Sequence, residues 1–269
     1  MINMSKTRVF ALGDIHGDFK PIRAFSVWTE NNVNKNDKIV LILLGDVGAN
    51  FFFNDRDKEF KERLGEYNIE YFAIRGNHEE RPSVCARNNP KDWEKQLYFG
   101  QNVWVEKEFP HIKYALDEPA VYRINGHLTF VIPGAYSVDK YVRLKRGTGW
   151  FAGEQLTNAE MQRGMRLAEN IEKCDLILSH TCPVCYEPTD LFLSNVDQSM
   201  VDKTMERYLG EIETKLKYKL WLWGHYHQTR VYPEFNGTDR VMLTNDKIID
   251  IDEYFKTKDP YSSMHYVYF

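Results

Sequence analysis

The chain has 269 residues, 43% hydrophobic and 28% charged, with a formal net charge of −4 at pH 7. That supply of apolar residues is enough for a substantial core, and the near-neutral balance gives no strong nucleic-acid signal. Its longest apolar runs are strand-sized, far below the ~20 residues of a membrane span, and four cysteines in so long a chain do not suggest a disulfide framework.

The N-terminal residues Met1 to Arg8 lack the apolar stretch of a secretory signal, so a cytoplasmic setting with no membrane association is expected. Val9 to Leu12 reads as a strand and runs into Gly13-Asp14-Ile15-His16-Gly17. Phe19, Ile22, Phe25 and Trp28 then recur at helical spacing within Phe19 to Asn31. Lys38 to Leu44 is a near-continuous apolar run, the pattern of a strand buried on both faces, and it opens into Gly45-Asp46. Asn54 to Glu66 sets Phe60 and Leu64 among charges, as a surface helix would. Ile69 to Ile74 is a third strand, ending at Arg75-Gly76-Asn77-His78-Glu79. This βαβαβ rhythm calls for a parallel or mixed sheet with right-handed crossovers.

From Arg81 to about Glu118 the period is lost among Pro, Asn and Trp, and an irregular insertion over the mouth of the site is expected. Ala120 to Ile124 and Leu128 to Ile132 flank Asn125-Gly126-His127 as a hairpin. Gly134-Ala135-Tyr136-Ser137 follows, then a basic stretch of Lys140, Arg143, Lys145 and Arg146. Thr157 and Glu160 form a capping box at the start of a helix reaching Lys173. Asp175 to Leu178 is a strand running into Ser179-His180, and Met200 to Lys217 is mostly helix. Lys219 to Trp223 is another strand, opening into Gly224-His225-Tyr226-His227. Val231, Val241 to Leu243 and Ile248-Ile249 suggest closing strands, and the aromatic tail from Tyr254 to Phe269 is expected to pack on the body.

Five apolar runs thus open into Asp, Asn or His. In open α/β sheets the loops beyond the carboxyl ends of strands converge on one crevice. A donor set of Asp, Asn and His without cysteine suits divalent metals bound through nitrogen and oxygen. Taken singly, an Asp or Asn after a strand is usually a turn or cap residue, and it is the accompanying histidines that favour ligation.

The ordered set GDxH, GD, GNHE, SH and GHxH spans Asp14 to His227 and resembles the calcineurin-like metallophosphoesterase superfamily. The resemblance implies an α/β fold: a four-layer α/β/β/α sandwich with mixed sheets, here a single domain over residues 1–269. It implies two divalent metal ions, with Mn²⁺ first and Fe, Zn or Mg as alternatives. By matched position, Asp14, His16 and His227 would hold one ion, Asn77, His180 and His225 the other, and Asp46 would bridge them. Asn77 and His78 would also contact substrate, with His78 giving a proton to the leaving alkoxide. The implied reaction is hydrolysis of a phosphomonoester by a metal-bridging hydroxide. The substrate would be a phosphorylated small molecule, a nucleotide or a phosphoprotein. Alternatives are a phosphodiesterase or nuclease on cyclic nucleotides or short nucleic acid, and a non-catalytic scaffold of the same fold.

GDIHG and RGNHE look like the protein Ser/Thr phosphatase branch, which continues its second motif as GDxxDRG. Here Ala49 stands for the aspartate that would support the catalytic histidine, and Asn50 for the phosphate-binding arginine. Gly134 to Ser137, Trp150-Phe151 and Glu154-Gln155 instead look like bacterial and phage-type members. A charge run is usually a solvated face, but Arg143 is a candidate for the missing clamp, because guanidinium pairs with phosphate bidentately. Cys182-Pro183-Val184-Cys185 has no second CxxC, so local packing is expected rather than a zinc or redox site.

Overall fold

Residues 5–147, 149–192, 194, 196–232 and 237–267 are described by the computed structural model. The first part alternates strand and helix: β1 (Thr7–Leu12), α1 (Lys20–Asn32), β2 (Lys38–Leu43), α2 (Asp55–Leu64) and β3 (Glu70–Ala73). β1, β2 and β3 pair in parallel, each returning through a helix. Asn54 caps α2 by accepting from the Arg56 amide, and Asp55 and Asp57 favour the positive end of its dipole.

After β3 come α3 (Pro82–Asn88), β4 (Trp93–Tyr98), β5 (Gln101–Glu106) and β6 (Ile112–Tyr114). β6 joins β3 in parallel, and β5 and β4 continue the sheet antiparallel to its edge. The expectation of an irregular insertion over 81–118 is corrected here, because the segment extends the sheet. It was hard to read because its period-2 signal is weak. The edge strand β4 exposes Glu94, Lys95 and Leu97, and only Val103 and Val105 of β5 alternate cleanly inward. Charges on an edge strand discourage pairing with other chains.

The second sheet opens with the hairpin β7 (Ala120–Ile124) and β8 (His127–Ile132). Asn125 (φ 48°) and Gly126 (φ 91°) supply the two positive angles of a primed turn. Then follow α4 (Lys140–Arg146), α5 (Asn158–Ile171), β9 (Leu176–Ser179), α6 (Thr204–Lys215), β10 (Leu220–Trp223), β11 (Arg230–Tyr232) and β12 (Asp239–Met242). The Thr157–Glu160 capping box starts α5. The order of this sheet is β11-β12-β10-β9-β8-β7. β13 (Lys247–Asp250), α7 (Ile251–Thr257), α8 (Pro260–Ser263) and β14 (Met264–Tyr266) return to the first sheet, β13 pairing antiparallel with β1. The tail packs as expected through buried Tyr254 and Val267; residues 268–269 lie outside the described residues.

Three buried clusters separate four layers. Phe10, Leu12, Leu41 and Leu43 face α1 and α2 through Ile22, Phe25, Phe60 and Leu64. The alternate residues Val9, Ala11, Val40 and Ile42 meet Leu176, Leu178, Leu220 and Leu222 of the other sheet. Beyond that sheet, Ile177, Trp221 and Trp223 pack under Ala168 of α5 and Leu209 and Ile212 of α6. A strand with helices on one side and a sheet on the other is apolar at every position, which is why these runs are continuous. The result is an α/β/β/α sandwich with mixed sheets. No helix among the described residues is long and apolar enough to cross a membrane.

Candidate metal centre

The carboxyl ends of β1, β2, β3, β9 and β10 meet at one place and are tied together motif to motif. The His16 amide donates to the Asp46 carbonyl (2.7 Å), and the His225 amide donates to Asp14 Oδ2 (2.7 Å). The His78 amide donates to Asp46 Oδ1 (2.9 Å), and His180 Nδ1 donates to the Leu44 carbonyl (2.7 Å). Two sheets are therefore stitched at their carboxyl ends by the predicted residues themselves. The geometry demands unusual backbone. His16, Asp46, His225 and His227 have φ of 47°, 49°, 71° and 54°, left-handed values uncommon outside glycine. Strain of this kind persists only where the surroundings over-determine it. The glycines before the key residues have a steric reason: a Cβ on Gly76 would overlap the Asp46 carboxylate, and one on Gly45 would overlap the His180 ring.

Two sets of ligand atoms, each within 4.8 Å of one another, are present: Asp46, His180 and His225, and Asp14, His16 and Asp46. Asp46 belongs to both. The other two predicted ligands sit beside these sets. His227 Nε2 lies 3.4 Å from His16 Nε2, with the rings stacked at 5.0 Å. Asn77 Oδ1 lies 2.9 Å from His180 Nε2.

The residues fit cations, and the hydrogen-bond inventory gives the reason. With Nδ1 donating to Leu44, a neutral His180 would point an Nε2 lone pair at Asn77 Oδ1 and at Asp46 Oδ1, 3.4 Å away. Only a proton or a cation satisfies that arrangement. Burial opposes the imidazolium, but Asp46 and Asp14 outweigh it and raise His180 to about 9. Burial also pushes the Asp14 carboxyl up to about 7, and its Oδ1 has no hydrogen-bond partner. Burial lowers His16 to about 4 and holds His225 well below its ordinary value, so both are neutral nitrogen donors at pH 7. Two buried carboxyl groups, the neutral imidazoles of His16 and His225, and a His180 whose proton a cation would replace are a nitrogen–oxygen set suited to first-row divalent ions or magnesium.

His78 turns Nε2 toward the cluster, 3.9 Å from Asp46 Oδ2, while its buried Nδ1 has no partner. Ala49, where a related branch has a supporting aspartate, is consistent with that orphan nitrogen. Arg143 lies on α4 and lines a cleft of about 140 Å³ with His16, Gly48, Phe51, Phe52 and His78. Asp139 Oδ2 (2.7 Å) and the Gly149 carbonyl (3.1 Å) accept from its Nε and Nη1. The structure thus places Arg143, the clamp candidate within the basic stretch, on the same cleft as His78.

Ser137 received no role from the sequence, yet its Oγ accepts from Asn77 Nδ2 at 2.9 Å and so turns Asn77 Oδ1 toward His180. Glu154 in turn accepts from the Ser137 amide (3.3 Å). A signal was available: Phe130 to Ile132 is a sixth apolar run, but Pro133-Gly134-Ala135-Tyr136-Ser137 follows it with no metal-binding type. Buried Glu79 accepts from the Gly76 amide (2.9 Å) and the Val47 amide (3.5 Å), bracing the turns that carry Asp46 and Asn77. Cys182 is buried and Cys185 exposed, both as free thiols. Residues 81–118 contribute nothing to the cavities beside the cluster; among the described residues, the larger one is lined outside the cluster from 136–139, 187–192 and 196–206.

A solved structure aligns with 91% of this chain and 95% of its own at 12% identity and a TM-score of 0.52. The phosphopantetheinyl hydrolase of Mycobacterium tuberculosis aligns over 98% and 96% of the two chains, at 14% identity and a TM-score of 0.44. A dimetal phosphatase from Danio rerio aligns over 90% and 94%, at 9% identity and a TM-score of 0.45. No curated protein matches the chain. The family model for calcineurin-like phosphoesterases matches residues 7–229, from the first strand through the last histidine of the cluster. With that match over most of its length, the chain belongs to the calcineurin-like phosphoesterase family.

Proposed function

We propose that the chain hydrolyses phosphomonoesters with two divalent ions held by this cluster. The observation that carries the reading is the membership of Asp46 in both ligand triads, since one shared carboxylate is what holds two cations a few ångströms apart. Asp14, His16 and His227 would hold one ion and Asn77, His180 and His225 the other, with Mn²⁺ the first choice for assay. When bound, such ions lower the pKa of a water toward neutrality and neutralise phosphoryl oxygens.

The remaining work belongs to side chains. His78 Nε2 faces the cluster and would protonate the departing alkoxide. Burial lowers its pKa from the ordinary value, and the charge of an incoming phosphate dianion would restore the proton. Arg143, held by Asp139 and Gly149, would pair with a phosphoryl oxygen from the smaller cleft. Ser137 fixes which end of the Asn77 amide faces the ions. The GDIHG and RGNHE forms of the motifs favour the monoester.

Two assays test this. The metal-loaded protein is expected to turn over para-nitrophenyl phosphate in preference to bis-para-nitrophenyl phosphate, and chelation should abolish both rates. A preference for the bis ester would transfer the reading to a phosphodiesterase. In the same assay Arg143→Ala should lower kcat/KM about tenfold or more, the worth of a charge-assisted hydrogen bond. A value within about twofold of wild type would remove Arg143 from the site.

A further inference from the structure

Beside the cluster lies a chamber of about 410 Å³, within the size range of small-molecule sites. Asp46, Asn77, His78, His225 and His227 form its inner wall. The outer walls are apolar or aromatic, with Tyr136, Leu191, Phe192, Val201 and Tyr226. Phe192 and Tyr226 stack at 6.4 Å with 24° between their planes.

The charges in this chamber are unusual for a site that handles phosphate. Asp139, Glu187, Asp202 and Glu206 all line it, and Lys203 is the one lysine or arginine among the described lining residues. Three of the carboxylates are already engaged. Arg143 takes Asp139 (2.7 Å), Lys203 takes Glu187 (2.6 Å), and Gln155 and the Thr204 amide take Asp202 (3.0 and 2.9 Å). Glu206 differs. It is 4% exposed, Oε1 accepts from Thr181 Oγ1 at 2.9 Å, and Oε2 has no hydrogen-bond partner. A buried acceptor left unpaired bears its desolvation cost with no compensating bond, so a ligand donor that reaches it gains both the bond and the relief. Glu206 lines the chamber from the first turn of α6, where the helix dipole favours its charge, and its unpartnered Oε2 is buried at that wall.

We propose that this chamber receives the organic part of the ester, and that Glu206 selects a compact apolar or aromatic alcohol carrying an N–H donor, above all an ammonium group, against anionic ones. The inference rests on the phosphomonoesterase reading. His78, the proposed proton donor to the leaving oxygen, opens into this chamber, so the departing alcohol would lie along its wall. The aromatic pair would offer an apolar face to a flat ring, and the carboxylates would repel polyanions and carboxylated leaving groups.

The test uses two non-hydrolysable analogues, 4-(2-aminoethyl)benzylphosphonate and 4-(carboxymethyl)benzylphosphonate, titrated calorimetrically into Mn²⁺-loaded protein. Both carry the same phosphonate anchor and ring. The amine should bind about tenfold tighter or better. Glu206→Gln should bring the two within about threefold through weaker binding of the amine, with its melting temperature unchanged. Phe192→Ala, a change in a half-buried wall residue, should weaken both analogues alike by roughly fivefold. Equal binding of the two analogues by wild type, or an undiminished preference in Glu206→Gln, overturns the assignment. Turnover of para-nitrophenyl phosphate is followed in parallel. Turnover without amine preference defeats the chamber assignment alone, and amine preference without turnover of any ester defeats the phosphoesterase reading alone.

Discussion

Asp46→Asn is expected to abolish hydrolysis and to release metal, with little change in shape. Asparagine keeps an Oδ1 that can accept from the His78 amide, so the turn it stabilises survives. What disappears is a full negative charge shared by both ligand triads. At an effective dielectric of about 20, a unit charge 4 Å away is worth about 4 kcal/mol, on the order of a thousandfold in affinity. Both ions should be affected, because both triads use this carboxylate. Metal content of the purified variant, measured by elemental analysis after exhaustive dialysis, should fall from two ions per chain to one or none. A variant that retained two ions and wild-type turnover would show that Asp46 is not shared between them.

His78→Ala should separate chemistry from metal binding. In the proposed scheme His78 gives a proton and touches no ion, so metal content should stay at the wild-type value. General acid catalysis contributes about 10²–10⁴-fold, and the loss should depend on the leaving group. An alkyl phosphate expels a strongly basic alkoxide and needs the proton, whereas para-nitrophenolate is a weak base and leaves with little help. The variant should therefore lose about 10²–10⁴-fold in kcat on the alkyl ester and far less on the nitrophenyl ester. Equal losses on both would assign His78 to binding or positioning instead. The buried, unpartnered Nδ1 makes the imidazole depend on packing rather than on a carboxylate to hold its orientation.

Most of the fold was legible because each central strand is buried on both faces and so appears as an unbroken apolar run. The ends of those runs gave the cluster, since each carries a metal-binding residue type, in four of the five immediately after a glycine, and a Cβ on Gly45, Gly76 or Gly224 would collide with a residue of a neighbouring motif. Legibility failed where burial was partial. β4 and β5 lie at a sheet edge with charged outward positions, and their alternation was lost among Trp, Asn and Pro. Ser137 was overlooked for a chemical reason: serine after a strand has no distinctive metal chemistry, and its role acts through the Asn77 amide. The chamber was equally invisible. Its walls come from residues within 136–139, 187–192, 196–206 and the 225–227 turn, and Glu206 reads in sequence as an ordinary first-turn acid of a helix. Only the fold shows that its second oxygen has no partner.

The most direct measurement is a calorimetric titration of Mn²⁺ into metal-stripped wild-type protein, with para-nitrophenyl phosphate hydrolysis followed at each addition. Binding of two equivalents per chain, with turnover that needs the second, is the result predicted by a carboxylate shared between two ion sites. A single equivalent, or full turnover after the first, would contradict the two-ion centre.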